Sequence, residues 1–121
     1  MNCYGKKEWM IPDGFISSHS TNQTSHDAVC VLNTTDRDAV IRLSLYFEND
    51  EPMTDFETVC PARRTHHIRM DRIVSKSGRS VPRDTPYAIL VQSDTEIVVQ
   101  YSRLDTSAAE MALMTTIAYS L

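Results

Sequence analysis

The chain reads as an all-β, single-domain antiparallel β-sandwich of about seven or eight strands. Three observations predict this. Apolar residues alternate with a period of two, most clearly from Ala39 to Phe47. The candidate strands are short and separated by turn-forming pieces, with only 3 glycines in the whole chain, which suits a compact sandwich or barrel. The length of 121 residues is that of one domain, able to bury roughly two thirds of its unfolded surface without staples.

Glu8–Ile11 is the first strand candidate. The polar stretch Ser17–Ser25 has no periodicity and is expected to be mobile. Ala28–Leu32 is the second strand, and Asn33–Asp38 turns into the third. There Ala39, Ile41, Leu43, Leu45 and Phe47 face one way, and Val40, Arg42, Ser44 and Tyr46 the other. One face is therefore buried and one largely wet. Glu48–Pro52 has the composition of a hairpin connection and leads to Phe56–Cys60. Arg63–Met70 follows, then a long irregular loop over 75–86. Tyr87–Gln92 and Glu96–Arg103 are separated by Ser93-Asp-Thr95, a second hairpin-like piece. Residues 107–114 read either as a short helix capped by Thr106 or Ser107, with Glu110 in its first turn, or as a turn into the last strand, Met114–Ser120.

Tyr87–Val91 and Ile97–Tyr101 are apolar on both faces. An isolated sandwich has only one inside, so the second face wants a cover. A further copy of the chain is the expected cover, which predicts a homo-oligomer; the loop 75–86 is the alternative.

The composition is that of a globular protein, 41% hydrophobic and 23% charged, with net charge −4. Apolar runs are only a few residues long, which excludes a membrane-spanning helix and predicts no membrane insertion. Met1-Asn-Cys-Tyr-Gly-Lys-Lys7 has no apolar run behind its lysines, so no signal peptide is expected. The 3 cysteines form no C-x-x-C pair, and Cys30 and Cys60 fall inside apolar strand patterns. A reducing, cytoplasmic setting fits.

The segment Pro61–Met70 concentrates chemistry. It holds Arg63, Arg64, Arg69, His66 and His67 in a strand-like pattern. By alternation Arg63, Thr65, His67 and Arg69 share one face, a row of about 20 Å, long for one small ligand and natural for an interface. Arg64 and His66 share the other face with Ile68 and Met70. An arginine at that rim needs a carboxylate or a ligand. Arg103 and Asp105, closing the apolar strand Ile97–Tyr101, are the candidate partners, so Arg64, Arg103 and Asp105 are expected to form one polar cluster. Trp9, the single tryptophan, is a core or interface residue, though such rings also stack on sugars.

His66 and His67 point to opposite faces and cannot share one ion; with no H-x-H or H-E-x-x-H motif, no metal site is expected. G-x-S-x-G, P-loop and dinucleotide motifs are absent, so no cofactor and no catalysis are expected. An unrecognised enzyme remains a competing class. So does a nucleic-acid-binding regulator using the basic stretch from Arg63 to Arg83, although acidic residues are spread throughout and no aromatic stacking set accompanies the arginines.

One resemblance covers nearly the whole chain. Trp9 with Ile-Pro-Asp-Gly14, Ser25-His-Asp-Ala-Val-Cys-Val-Leu-Asn33, Glu51-Pro52, Pro61-Ala-Arg-Arg-Thr-His-His-Ile-Arg69, Asp84-Thr85, Gln92-Ser93, Ile97-Val-Val-Gln100, Ser102-Arg-Leu-Asp105 and Thr116-Ile-Ala-Tyr119 occur in the order and spacing of the sensory rhodopsin transducer family. His66 stands where that family's pattern suggests a lysine. The resemblance implies a small soluble β-sandwich assembled as a homotetramer, without enzymatic activity. In one branch it implies a cytoplasmic partner of a microbial rhodopsin; for other relatives it implies another signalling partner or a small polar ligand, carbohydrate-like or anionic. Carried over by position, the residues concerned are His26, Asn33, Arg63, Arg64, Thr65, His67, Arg69, Gln100, Arg103 and Asp105.

Overall fold

A computed structural model describes residues 3–21 and 23–120. Seven strands make one antiparallel sheet: β1 (Lys6–Gly14), β2 (His26–Asn33), β3 (Ala39–Phe47), β4 (Met53–Cys60), β5 (Arg64–Arg69), β6 (Tyr87–Asp105) and β7 (Ala112–Ile117). No helix occurs among the described residues, so the turn reading of 107–114 is the correct one. None of those residues forms a helix long and apolar enough to cross a membrane.

The organising element is β6, a single strand of 19 residues. Its first half pairs with β3 and β1, its second half with β2 and β7. With β4 outside β3 and β5 outside β2, the sheet has two halves joined through one strand. Half A is β4-β3-β6-β1 and half B is β5-β2-β6-β7. The sheet curls so that β4 approaches β5, where Thr58 Oγ1 and His66 Nε2 stand 3.3 Å apart. The expected hairpin at Ser93–Thr95 is thus a correction. Those residues stay extended because they are used: Ser93 pairs with Ile41, the Asp94 carboxylate accepts the Val40 amide at 2.9 Å, and Thr95 is buried. The continuity of β6 also revises the picture of two separate sheets.

The core lies between the halves. Ile41, Leu43 and Leu45 of β3 meet Ile89, Val91, Ile97 and Val99 of β6 and Val29 and Val31 of β2, all at most 2% exposed. Odd positions face inward along β3, β2 and β6, so β6 crosses from one half to the other without losing its phase. Trp9 is buried, and its indole N–H donates to the carbonyls of Lys6 and Ile97, both at 3.0 Å. It is a core residue, not a ligand platform. Gly14 is required by packing: a Cβ there would stand 2.8 Å from the Tyr87 ring.

The stretch from Ser17 to Ser25 is pinned at both ends. Ser25 Oγ donates to the His19 carbonyl, and Arg83 Nη1 donates to the carbonyls of Ser17 and Ser25. Loop 75–86 folds against β4, with Lys76 N on Asp55 O and Ser77 Oγ on the Asp55 carboxylate. Further along the loop Val81 is buried in the core, and Asp84 gives its amide to the Ile16 carbonyl and accepts the Ser18 amide.

Candidate functional site

The sheet register decides which candidate residues can act together. Arg64 stands opposite Asn33 at one end of β2, and Arg103 stands opposite Asp27 at the other. Six residues of strand separate them, about 20 Å. The expected cluster of Arg64, Arg103 and Asp105 does not exist. Alternation set Ile68 inward and His67 outward, but Arg63 lies before β5 with a left-handed backbone and so leaves the expected row with Thr65, His67 and Arg69. Register between strands sets position along them, and that is not written in one strand's pattern.

At the Asn33 end, the buried amide of Asn33 ties two loops together. Its Nδ2 donates to the carbonyls of Arg37 (2.7 Å), Cys60 (3.1 Å) and Pro61 (3.3 Å), while its Oδ1 accepts from Thr35 N and Oγ1. These loops carry Arg63 and Arg64. Arg63 sits in the left-handed region (φ 54°), its amide on Thr35 O and its guanidinium 3.9 Å from Asp36. Arg64 is exposed, with Nη1 on the Arg63 carbonyl.

At the opposite end is a group the motif reading passed over. Asp27 is fully buried, and its Oδ2 accepts the hydroxyls of Tyr87 (2.5 Å) and Tyr101 (2.7 Å). Its Oδ1 has no partner at full hydrogen-bond geometry, although the Phe15 backbone amide also favours the charged carboxylate. Arg103 lies over the Tyr101 ring, gives Nε to the Tyr101 oxygen at 3.1 Å, and reaches the Asp13 carboxylate at 3.5 Å. Burial pushes the Asp27 carboxyl above its ordinary range, outweighing the tyrosine hydroxyls and the Arg103 charge. Both phenols are pushed up by burial and by the Asp27 charge. The signal was present in the sequence: an aspartate at an inward position of an apolar strand, next to His26. Asp105, the expected partner of the arginines, instead accepts the Ser107 amide at 2.8 Å, which holds its carboxyl below the usual range.

Four of the sequence candidates do converge, on the outer face of half B. His67, Cys30, Gln100 and Ile117 form one row across β5, β2, β6 and β7. Arg69, Ala28, Ser102 and Thr115 form the next, and His26, Leu104 and Leu113 the one beyond. Thr65, Leu32 and Val98 lie on the other side. Gln100 Nε2 donates to Thr115 Oγ1. Arg69 grips Asp71 with two bonds of 2.8 Å. Burial would raise the Asp71 carboxyl, but the Arg69 bonds and charge prevail and hold it low. Exposed Leu32, Leu113 and Ile117, the last at 64%, give this face apolar area between its polar groups. His66 points the other way, and burial together with the His67 charge lowers its pKa.

The basic stretch does not form one patch. Arg69 and Arg83 converge on Asp71, Lys76 reaches Glu57, and Arg63 faces Asp36. Among the described residues no group of three His, Cys, Asp or Glu side chains is placed to hold a metal ion.

The protein is thus a curled all-β sheet with polar and apolar groups on its exposed faces and buried polar pins at its ends. The chain belongs to the family described as Anabaena sensory rhodopsin transducer, whose model matches residues 4–120. Two solved structures resemble it over most of their length. The crystal structure of Thermotoga maritima 1070 is 34% identical, with a TM-score of 0.86, covering 98% of this chain and 96% of that one. The Anabaena sensory rhodopsin transducer is 32% identical, with a TM-score of 0.75, covering 84% of this chain and 99% of that one. Among proteins of curated function none matches.

Proposed function

We propose that the chain is a non-catalytic cytoplasmic signalling module that docks a protein partner on the outer face of half B. One observation carries this reading: three strands bring His26, His67, Arg69 and Gln100 onto one face, beside exposed Leu32, Leu113 and Ile117. A broad face of aliphatic area with interspersed polar groups suits a protein surface, whereas small-ligand sites are concave. Family membership supports a rhodopsin or another membrane-bound sensor as the partner. The same reading includes self-assembly, as a homotetramer, because half A also leaves Met10, Tyr46 and Tyr119 exposed on its outer side.

The test is a binding titration against a sensory rhodopsin in lipid nanodiscs, with empty nanodiscs as control. His67→Ala/Gln100→Ala and Ile117→Asp should each weaken binding at least tenfold while leaving the melting temperature within a few degrees. Undiminished binding by both variants overturns the assignment of this face. Salt-dependent binding to duplex DNA, at the affinity of the protein partner, would favour the nucleic-acid reading instead. Static light scattering at micromolar concentration should report about four times the chain mass of 13.7 kDa.

A further inference from the structure

Four strands of the sheet, β1, β4, β5 and β7, each pair with one neighbour only. Each presents a row of backbone groups on its free side, a template for a further strand unless something blocks it. Three of the four are blocked. Loop 75–86 bonds to the free side of β4 through Lys76 N and Asp55 O, and β4 also carries Glu57. The edge of β5 carries Arg64 and Arg69 and curls toward β4 at His66. In β1, Met10 exchanges backbone bonds of 2.8 and 2.9 Å with Tyr119, and Lys6, Lys7 and Pro12 flank them. The fourth edge has no such device. Ala112-Leu-Met-Thr-Thr-Ile117 holds no charge and no proline, and all six of its residues are exposed. It is the one strand of the seven without a charged side chain.

The ladder fixes which groups of β7 are free. Ala118 N donates to Val99 O at 3.0 Å, and the same register runs on from Gln100–Ile117 to Asp105–Ala112. Bonded and non-bonded residues alternate along an antiparallel pair. Met114 and Thr116 therefore turn their N–H and C=O groups to β6, and Leu113, Thr115 and Ile117 turn theirs to the free side. Among the described residues those free groups have no backbone partner. The side chains of Leu113, Thr115 and Ile117 share the outer face of half B with Leu104, Ser102 and Gln100. A strand added here would lengthen the rows of that face, the one through His67, Cys30, Gln100 and Ile117 among them.

Charge says what such a strand should carry. At the start of β7, Asp105, Ser107, Glu110, Met111 and Ala112 line a cleft of about 200 Å³. Among the described residues neither Asp105 nor Glu110 forms an ion pair. The free edge thus begins at an acidic pocket that lacks a cation. A second copy of β7 has no cation to bring to it. The complement is a foreign segment that is extended, apolar where it meets Leu113 and Ile117, and basic where it reaches Glu110. Leu113 and Ile117 are 76% and 64% exposed, so both have apolar area to cover.

We propose that β7 captures an extended segment of the partner protein by antiparallel strand addition. The segment has apolar residues at two positions four apart, facing Ile117 and then Leu113, and a lysine or arginine three positions later, at Glu110. Antiparallel pairing continues the rest of the sheet, and parallel pairing is slightly weaker for each residue. Main-chain bonds to Leu113, Thr115 and Ile117 hold the segment, and the alternate side chains select it. The inference rests on the docking reading above and names how the partner is held and the chemistry of the part that is held.

The probe is a fluorescein-labelled peptide, Gly-Ile-Thr-Thr-Val-Leu-Ser-Ser-Lys-Gly, titrated with the protein and read by anisotropy. N-methylation of its second threonine, whose N–H faces Thr115, should weaken binding at least tenfold. N-methylation of its valine, whose N–H faces away, should change binding less than about twofold. Leu113→Pro removes an N–H that β6 does not use, so circular dichroism should show a native fold while peptide binding falls at least tenfold. If that variant does not fold, the two methylated peptides against the wild type still decide. Glu110→Lys should also weaken binding, and a peptide with glutamate in place of its lysine should restore it. No binding at about 1 mM peptide, or equal binding of the two methylated peptides, overturns the proposal. So does a Leu113→Pro protein that loses self-association, because the edge then joins copies of the chain. In the nanodisc titration Leu113→Pro should lose rhodopsin binding. If it binds like the wild type while His67→Ala/Gln100→Ala does not, the face stands and strand capture falls. If the peptide binds in register and rhodopsin nanodiscs do not bind at all, strand capture stands and the rhodopsin reading falls.

Discussion

The two ends of β2 show what a buried polar side chain can be. Asn33 and Asp27 both face inward and are both fully buried. Asn33 is saturated: its amide N–H groups and its oxygen all have partners, and those partners belong to two loops. Asp27 is half satisfied, with two hydroxyls on one oxygen and none on the other. The first arrangement fixes backbone and does not titrate. The second holds a charge that burial resists, compensated by one arginine whose side chain is 22% exposed. A saturated amide is a structural pin; a half-satisfied carboxylate makes its end of the strand sensitive to pH and to whatever engages Arg103.

The largest effect should come from removing the pin. Asn33→Ala leaves the carbonyls of Cys60 and Pro61 and the Thr35 amide without their Asn33 partner, and leaves the Arg37 carbonyl with Thr35 Oγ1 alone. At about 1–3 kcal/mol for each unsatisfied group, partly relieved by water, the loss should be about 3–4 kcal/mol in urea unfolding. Asn33→Asp should cost at least as much above pH 5, since it sets a carboxylate against carbonyl oxygens. A loss below 1 kcal/mol for Asn33→Ala would dissolve the contrast from this side.

Next is Tyr101→Phe. It removes one of the two donors to Asp27 and the acceptor of Arg103 Nε together, while keeping the ring in the core. Hydrogen bonds to charged groups are worth about 1.5–3 kcal/mol, so a loss of about 2 kcal/mol is expected at pH 7. Double-mutant cycles with Asp27→Asn should show coupling between the two, whereas cycles with Asn33→Ala should be additive, the sites being about 20 Å apart.

These contrasts bear on what could be read from the chain alone. The alternation of Ala39–Phe47 located β3 to the residue, because a strand with one wet face writes its orientation into its own pattern. The same logic placed Ile68 and Met70 inside and His67 outside. It failed at Ser93–Thr95, where three polar residues look like a turn, because their extended conformation depends on Val40 and Ile41, more than fifty residues earlier. It failed again at the site. Arg64 and Arg103 share a burial phase but sit at opposite ends of β2, and only the pairing of three strands reveals that. The motif residues on the outer face of half B were legible one by one, but not as a group.

Acid titration sharpens the comparison from the Asp27 side. Its folded-state pKa is raised, whereas the unfolded carboxyl titrates near 3.8. Between those two values the native state holds more protons than the unfolded one, so stability falls as pH rises through this window and levels off above the raised value. Below 3.8 the term is fully present. Asp27→Asn cannot ionise and should lack this slope. The melting temperature of Asp27→Asn relative to wild type should therefore improve steadily from pH 3.5 upward and then plateau. Asn33→Gln, compared in the same way, should show no trend. A difference independent of pH would mean that Asp27 ionises no harder in the fold than in the unfolded chain.

The smallest effect should be at Arg63, on the loop that Asn33 pins. Its left-handed backbone (φ 54°) costs a residue with a Cβ about 1 kcal/mol, which glycine would recover. Glycine also gives the unfolded chain more freedom, which takes back about 0.4–1 kcal/mol. The ion pair with Asp36, at 3.9 Å between side chains about 70% exposed, contributes little. These terms nearly cancel, so Arg63→Gly should change stability by no more than about 0.5 kcal/mol. Arg63 donates its backbone amide to Thr35 O and keeps that bond as glycine. Nothing in folding therefore demands an arginine at this position. If urea unfolding shows a loss above 1.5 kcal/mol, the guanidinium has a structural partner and belongs with the pin. If stability holds, the side chain is free to serve the exposed surface, and the Asn33 end is a rigid mount that carries charge rather than a sensor of it.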